Sequence, residues 1–375
     1  MASPFIVLFF LYSCIPFSAA MATTTSSPRE SSPSGVTNHP HPVMVPTESP
    51  TKILMDGQNI VCVPTKMNYV SRNTKAAHVR RNVAGDDDET EFNEGANWVA
   101  TEVSVQNARG QSKTLERHGF ELVTEPIFPI DFLNTEDVIE NYYPTCESLL
   151  KKHFGDGVIV KAFDHNIRIN SASGNPLKGA GGAKTQTPLG IVHGDYTMES
   201  GPKRLSDLGK PPKANDVLKQ RLGETPLLDP DTVEAALAGK RRFALINVWR
   251  SIDKEKAVEE RPLACMDSNS APKEDLRKLY IHYADRVGEN YLAVHSPRHN
   301  WCYFPKMTHD ETMLIKQWDS KGSFALGGPG GANDRATFAI HSAFLDPTSP
   351  ENATPRQSIE VRCALVWEEE DKSST

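Results

Sequence analysis

The tightest constraint on this chain is the run Val192-His193-Gly194-Asp195-Tyr196-Thr197. In extended backbone, residues two apart point to the same side. A strand here would therefore aim the imidazole of His193 and the carboxylate of Asp195 at a common point. A short strand from Ile191 to Thr197 is predicted. The remaining member of a metal-ligand set must then come from another part of the chain, and His341 stands ahead of the C-terminal strand. Two histidines and one carboxylate leave coordination positions open on a non-haem Fe(II) ion. A fold that satisfies this pattern must bring distant strands side by side.

His295 and His299 are rival third ligands. Beyond His341, Arg356 and Ser358 stand in phase on one extended segment. Arginine offers a rigid, planar fork to a carboxylate, and serine adds a hydroxyl donor. An ion pair between Arg356 and Glu360 is the competing reading. Trp249 and Arg250 are candidates for substrate contact, at the end of an apolar strand. Arg250 could equally close a structural network with Asp267 or Asp319. Tyr196 is read as packing, and Asp164-His165 near Arg168 as a hydrogen-bonded cluster at a strand end.

The 375 residues carry a net charge of −7, and basic runs such as Arg80-Arg81 and Lys240-Arg241-Arg242 are short. No basic stripe suited to nucleic acid is present. The six cysteines form no Cys-x-x-Cys unit, so neither a structural zinc site nor a disulfide framework is expected. That usage favours a reducing, cytoplasmic setting. The apolar run 4–19 argues the other way, because it resembles the core of a secretory signal with Ala20-Met21-Ala22 as the cleavage site. It lacks a preceding Lys or Arg, and Met21 is an alternative start. The run is too short for an ordinary spanning helix, and no stable membrane anchor is expected.

Residues 1–22 are read as a signal-like or mis-assigned segment, and residues 23–55, rich in Ser, Thr and Pro, as a disordered tail. An acidic loop is expected over 84–95. A glycine-rich loop over 171–184 lacks the Gly-Lys-Ser/Thr ending of a phosphate-binding loop. Helices are predicted over 135–154, with Gly155 as the stop and Pro144 as a kink, and over 230–238, capped by Asp229. Further helices are predicted over 272–284 and 311–318. Strands are predicted at 158–163, 243–250 and 358–367, with strand character around Tyr291 and Trp301. Gly327-Gly328-Pro329-Gly330-Gly331 reads as a turn. This mixture indicates an α+β chain.

The ordered motifs add a resemblance. They run through His193-Gly194-Asp195-Tyr196-Thr197, Ile246-Asn247-Val248-Trp249-Arg250, Pro262-Leu263-Ala264 with Asp267-Ser268, and His299-Asn300-Trp301-Cys302-Tyr303. They continue through Met307 with Asp310-Glu311, Trp318-Asp319-Ser320, His341-Ser342-Ala343-Phe344-Leu345-Asp346-Pro347 and Pro355-Arg356-Gln357-Ser358-Ile359-Glu360-Val361-Arg362. Together they resemble the fungal hydroxylase/desaturase family of the gibberellin desaturase and aspergillic acid hydroxylase type. That family is similar to Fe(II)/2-oxoglutarate-dependent dioxygenases. Ser342 replaces the usual Thr, and Gln357 the usual Glu.

The resemblance implies a double-stranded β-helix (jelly-roll) core with flanking helices, and one dioxygenase-like domain over 56–370. It implies Fe(II) bound by His193, Asp195 and His341, and 2-oxoglutarate bound by Arg356 and Ser358. It also implies that O2 hydroxylates, desaturates or cyclises a small hydrophobic metabolite. A metal-free jelly-roll binding protein, or a metal enzyme that does not use 2-oxoglutarate, are the alternatives.

Overall fold

Residues 357–367 alternate in burial partners so regularly that they organise the molecule. In this computed structural model they form a strand, Gln357–Trp367. Ile359, Val361, Cys363 and Leu365 point to one side, into a core shared with the helical run 135–154. Ser358, Glu360 and Arg362 point to the other side, and Ala364 and Val366 continue that face as apolar packing. One strand thus supplies a core to a helix and a polar wall to a site, as the two-residue period requires.

The structure describes residues 50–55, 58–80, 92–170, 185–283, 286–328 and 334–368. The signal-like segment, most of the tail, most of the acidic loop, the glycine-rich loop 171–184 and the end of the Gly-Pro turn lie outside the described residues.

Strand Gln357–Trp367 sits in a six-stranded sheet ordered 120–124, 311–319, 243–251, 357–367, 158–169, 185–186. An eleven-stranded sheet contains Leu263–Met266, His341–Ala343, His193–Gly194 and Val287–Ala293 as consecutive neighbours. The few helices pack beside these sheets. Among the described residues neither sheet closes into a barrel.

The first long helical run begins where Asn134 Oδ1 accepts hydrogen bonds from the backbone N–H groups of Glu136 and Asp137. Pro144 cannot donate a backbone hydrogen bond. A widened π turn over Val138–Tyr142 precedes it, and an ordinary α-helix resumes over Tyr143–Phe154. The predicted kink is therefore a π insertion, a common way for a helix to absorb one misfit residue. Gly155, at φ 91°, ends the run. Tyr142, Cys146, Leu149 and Leu150 lie at helical spacing and bury against Val160, Ile246, Val248 and Val361. Full burial of a leucine of this kind contributes about 1.5–3 kcal/mol. The helix Pro230–Leu237 also forms, with Asp229 accepting from the N–H of Thr232.

Two expected helices are strands. Residues 273–275 make one 3-10 turn, and Leu276–His282 then pairs antiparallel with Val287–Ala293. Residues Glu311–Asp319 form a strand between Phe120–Thr124 and Phe243–Ser251. Lys316 and Gln317 lie fully buried in it. They broke the apolar alternation in the sequence because each has a partner inside. Lys316 donates to Asp319 at 2.8 Å, and Gln317 Oε1 accepts the backbone N–H of Asp195 at 3.2 Å. The strand around His193 is shorter than predicted, at His193–Gly194. The chain turns at Asp195 to enter the helix Ser200–Leu208, where Thr197 Oγ1 accepts from the N–H groups of Glu199 and Ser200.

Candidate metal centre and acid pocket

His193 and His341 are directly opposite each other on adjacent antiparallel strands. Their rings lie 4.4 Å apart between centroids. Asp195 follows immediately, and its Oδ1 is 3.8 Å from His193 Nε2 and 4.0 Å from His341 Nε2. One ligand atom from each residue falls within 4.8 Å of the other two. The sequence-predicted trio is therefore gathered at one point.

Hydrogen bonds orient each member. His193 Nδ1 lies 2.9 Å from the carbonyl of Ile191, and His341 Nδ1 lies 3.4 Å from that of Ala339. Both rings then carry the proton on Nδ1 and aim the Nε2 lone pair inward, as outer contacts do for metal-binding histidines. Asn247 Nδ2 and Arg362 Nε donate to Asp195 Oδ2 at 2.9 and 3.2 Å. That arrangement turns Oδ1 toward the imidazoles.

The electrostatics agree. Burial, reinforced by His341, pushes His193 down to about 4. Burial also lowers His341. Both imidazoles are neutral near pH 7, the form that binds metal. Burial by itself would raise the Asp195 carboxyl, but the Arg362 guanidinium, the two imidazoles and Asn247 hold it below the usual carboxylate range. A deprotonated carboxylate with two neutral imidazoles is a donor set for a divalent first-row ion.

Beside the trio, Trp249, Arg356, Ser358 and Glu360 line a small cavity that also reaches His193, Asp195 and His341. Arg356 is 2% exposed. Its Nη1 donates to the carbonyl of Arg261 at 2.7 Å, and its guanidinium carbon sits 5.7 Å from the centre of the Trp249 ring. Arg356 Nε and Ser358 Oγ are shut off from solvent with no hydrogen-bond partner. Burial, with the Arg168 cation nearby, lowers the Arg356 guanidinium to about 9. A buried guanidinium with an unpartnered Nε and a buried hydroxyl with no partner fit an incoming carboxylate. Glu360 is not the partner of Arg356; it accepts from Arg362 Nη2 at 3.2 Å.

The other candidates sort by strand parity. Trp249 faces the cavity, whereas Arg250 shares the opposite face with Ile246 and Val248. Arg250 is 1% exposed and donates to the Tyr142 hydroxyl and to the carbonyls of Glu125 and His309. It is a buried clamp on Tyr142, Glu125 and His309, on the strand face away from the cavity, and neither Asp267 nor Asp319 is its partner. His295 and His299 lie elsewhere, around Tyr69, with His299 Nε2 3.3 Å from Asp275. Asp164 accepts from Arg362 Nη1 at 2.9 Å, and the hydroxyl of Tyr143 lies 2.9 Å from His165 Nδ1. Tyr196 is half-buried and packs with Leu205 and Trp318 while lining a larger cavity. Sequence reasoning missed the Asp195 supports Asn247, Gln317 and Arg362. Arg362 was within reach, since it continues the phase of Arg356, Ser358 and Glu360.

Gly201 shows how tightly the site helix is seated. A Cβ there would meet the Trp318 ring at 2.7 Å. The helix that follows Asp195 is thereby pressed onto strand Glu311–Asp319, which also supplies Gln317.

Residues 67–225 and 224–366 match the family described as an oxidoreductase/YMDC permease-like domain. The chain belongs to this oxidoreductase family. It is 37% identical over 200 residues to "Uncharacterized protein in dcmA 3'region" of Methylophilus leisingeri, an alignment spanning 51% of this chain and 91% of that one. It is 27% identical over 276 residues to hydroxylase/desaturase efuI of Hormonema carpetanum, spanning 69% and 80%. It is 27% identical over 278 residues to the Fe(II)/2-oxoglutarate-dependent dioxygenase nvfI of Aspergillus novofumigatus, spanning 72% and 84%. A solved structure of the iron and alpha-ketoglutarate-dependent endoperoxidase NvfI aligns at a TM-score of 0.58 and 23% identity, covering 82% of this chain and 99% of that one. The resemblance to fungal hydroxylase/desaturases thus holds, and the paired sheets belong to an α+β fold with a jelly-roll core. No helix among the described residues of this oxidoreductase is long and apolar enough to cross a membrane.

Proposed function

We propose that His193, Asp195 and His341 hold a catalytic Fe(II) ion, and that Arg356 and Ser358 bind the distal carboxylate of 2-oxoglutarate. The chain is an Fe(II)/2-oxoglutarate-dependent oxidoreductase acting on a small molecule. The observation that carries the site reading is the adjacency of two unlike donor sets in one cavity. Three ligand atoms lie within 4.8 Å of one another, beside a buried Arg356 Nε and Ser358 Oγ with no hydrogen-bond partner in the protein.

Bound iron, with 2-oxoglutarate and O2, supplies the oxidant that removes hydrogen from a substrate C–H bond, releasing succinate and CO2. The chain's own residues do the positioning. Asn247 and Arg362 fix Oδ2 of Asp195, so that Oδ1 faces the metal position. The carbonyls of Ile191 and Ala339 hold the tautomers of the two histidines. Trp249 covers the guanidinium of Arg356 and keeps water from its fork, which strengthens a carboxylate contact in this low-dielectric setting. His193 and Asp195 also line a cavity of about 240 Å3, which has room for a substrate C–H bond near the trio. Hydroxylation, desaturation and cyclisation share this arrangement.

The test is succinate release from 2-oxoglutarate by the full chain with Fe(II) and O2. Release that vanishes in His193→Ala and in Asp195→Ala supports the assignment. Release that survives either substitution removes it.

A further inference from the structure

We propose that the larger cavity outside the trio is the substrate site and that it takes an organic acid, whose anionic end is held at the mouth by Lys203. This rests on the site assignment above and adds the chemical class of the substrate.

The cavity wall is built from charged and amide side chains to an unusual degree for a small-molecule pocket, which is normally mostly apolar. The helix Ser200–Leu208 presents Ser200, Lys203, Arg204 and Asp207 to it, the spacing of one helical face. Asp164, Asn166 and Arg168 come from the facing strand, and Glu289 and Asn290 from the hairpin opposite. The aliphatic contributions are Leu189, Ile281 and Val287. A wholly hydrocarbon substrate would leave these polar groups without water and without partners, which is costly.

The sign of the charge follows from which groups are already paired. Asp164 is held by Arg362, and Asp216 by Arg204 at 3.2 Å. Asp207 is held by Lys213 at 2.9 Å, and Glu289 by Lys278 at 3.2 Å. Arg362 and Arg204 belong to the wall and are committed to these acids, whereas Lys213 and Lys278 stand outside it, so the acids are paired without drawing on Lys203. Lys203 differs from these groups. Among the described residues no carboxylate lies within ion-pair reach of it. Its ammonium reaches across the mouth to the carbonyl of Val287 at 3.4 Å. Arg286 adjoins that point, stacked over Tyr283 at 4.8 Å. The cavity then runs inward, past Ser200 and Asn290, to His193 and Asp195 on its floor. An acid anchored at Lys203 extends its far end toward the metal position, with its polar body against the amides.

The test is affinity selection on the full chain loaded with Mn(II) and 2-oxoglutarate. The probe is a library of small hydroxy and amino acids, each paired with its methyl ester. Free acids should be retained over their esters. Lys203→Glu should weaken that retention about tenfold, equivalent to about 1.4 kcal/mol, and Lys203→Arg should keep it. Lys203 is exposed on its helix, so these variants are expected to fold. Three results would overturn the proposal: esters retained as well as acids, acid retention unchanged in Lys203→Glu, or neither class retained while Mn(II) and 2-oxoglutarate bind. Wild-type chain that fails to bind Mn(II) and 2-oxoglutarate would sink the underlying site assignment, and this proposal with it.

Discussion

Replacing Arg356 by methionine should move stability and binding in opposite directions. In the ligand-free chain, Arg356 is a buried cation with one hydrogen bond, to the carbonyl of Arg261, and an unpartnered Nε. Its guanidinium is lowered to about 9, chiefly through burial. Methionine keeps much of the side-chain volume against Trp249 and removes the desolvated charge. Exchanging a poorly compensated buried charge for an apolar side chain is often neutral or stabilising by about 1–4 kcal/mol. About 1 kcal/mol is given back as the lost contact with the Trp249 ring. The ligand-free variant should therefore be more stable by about 0–3 kcal/mol. Binding of 2-oxoglutarate should suffer far more. Hydrogen bonds to a charged group contribute about 1.5–3 kcal/mol each, and a two-pronged contact loses two of them. Affinity should fall at least a hundredfold, with Mn(II) affinity preserved. Urea unfolding of the ligand-free protein and calorimetric titration of 2-oxoglutarate into the Mn(II)-loaded protein read the two effects. An Arg356→Met variant that is less stable, yet binds 2-oxoglutarate normally, would refute the reasoning and make Arg356 a structural cation.

Other outcomes follow from the same geometry. Arg250→Met should lose about 3–5 kcal/mol of stability, because it strands two buried carbonyls and a tyrosine hydroxyl; a drop in Mn(II) or 2-oxoglutarate affinity without a drop in stability would contradict its placement. Ser358→Ala should weaken 2-oxoglutarate binding about tenfold, the size of one hydrogen bond to a charged group, and titration checks it. The metal-free protein should lose stability as pH falls below 6.5 toward 4, because His193 is lowered from 6.5 to about 4 and His341 is lowered too. There the unfolded chain takes up protons that the folded chain refuses, so stability is complete above 6.5 and declines by up to about 1.4 kcal/mol per pH unit for each such histidine. A urea midpoint that stays flat across that range would contradict the neutral, buried state assigned to the pair.

The parts of the molecule legible from sequence were those where local chemistry and burial agree. Asn134, Pro144 and Gly155 mark the start, fault and end of the helical run, and the strand Gln357–Trp367 declares its two faces by alternation. The proposed metal trio is legible as a cluster because His193 and Asp195 are near neighbours, and the wider motifs favour His341 over His295 and His299. Strand Glu311–Asp319 was misread as a helix because Lys316 and Gln317 occupy buried positions. Their partners, Asp319 and the backbone of Asp195, make that tolerable, and the Asp195 contact joins residues far apart in sequence. Arg250 lies away from the cavity for a related reason. It follows Trp249, and adjacent strand residues face opposite sides. One therefore belongs to the cavity and the other to the helix-facing core. The role of Asn247 depends on a contact with Asp195 that no local pattern in the sequence signals.

The most direct test is an anaerobic Mn(II) titration followed by electron paramagnetic resonance, comparing the wild-type chain with His193→Ala, Asp195→Ala and His341→Ala. One tight site per chain is expected, lost or weakened at least a hundredfold in each variant, with overall fold retained by circular dichroism. If any of the three variants binds Mn(II) with wild-type affinity, that residue is not a ligand and the proposed centre is wrong.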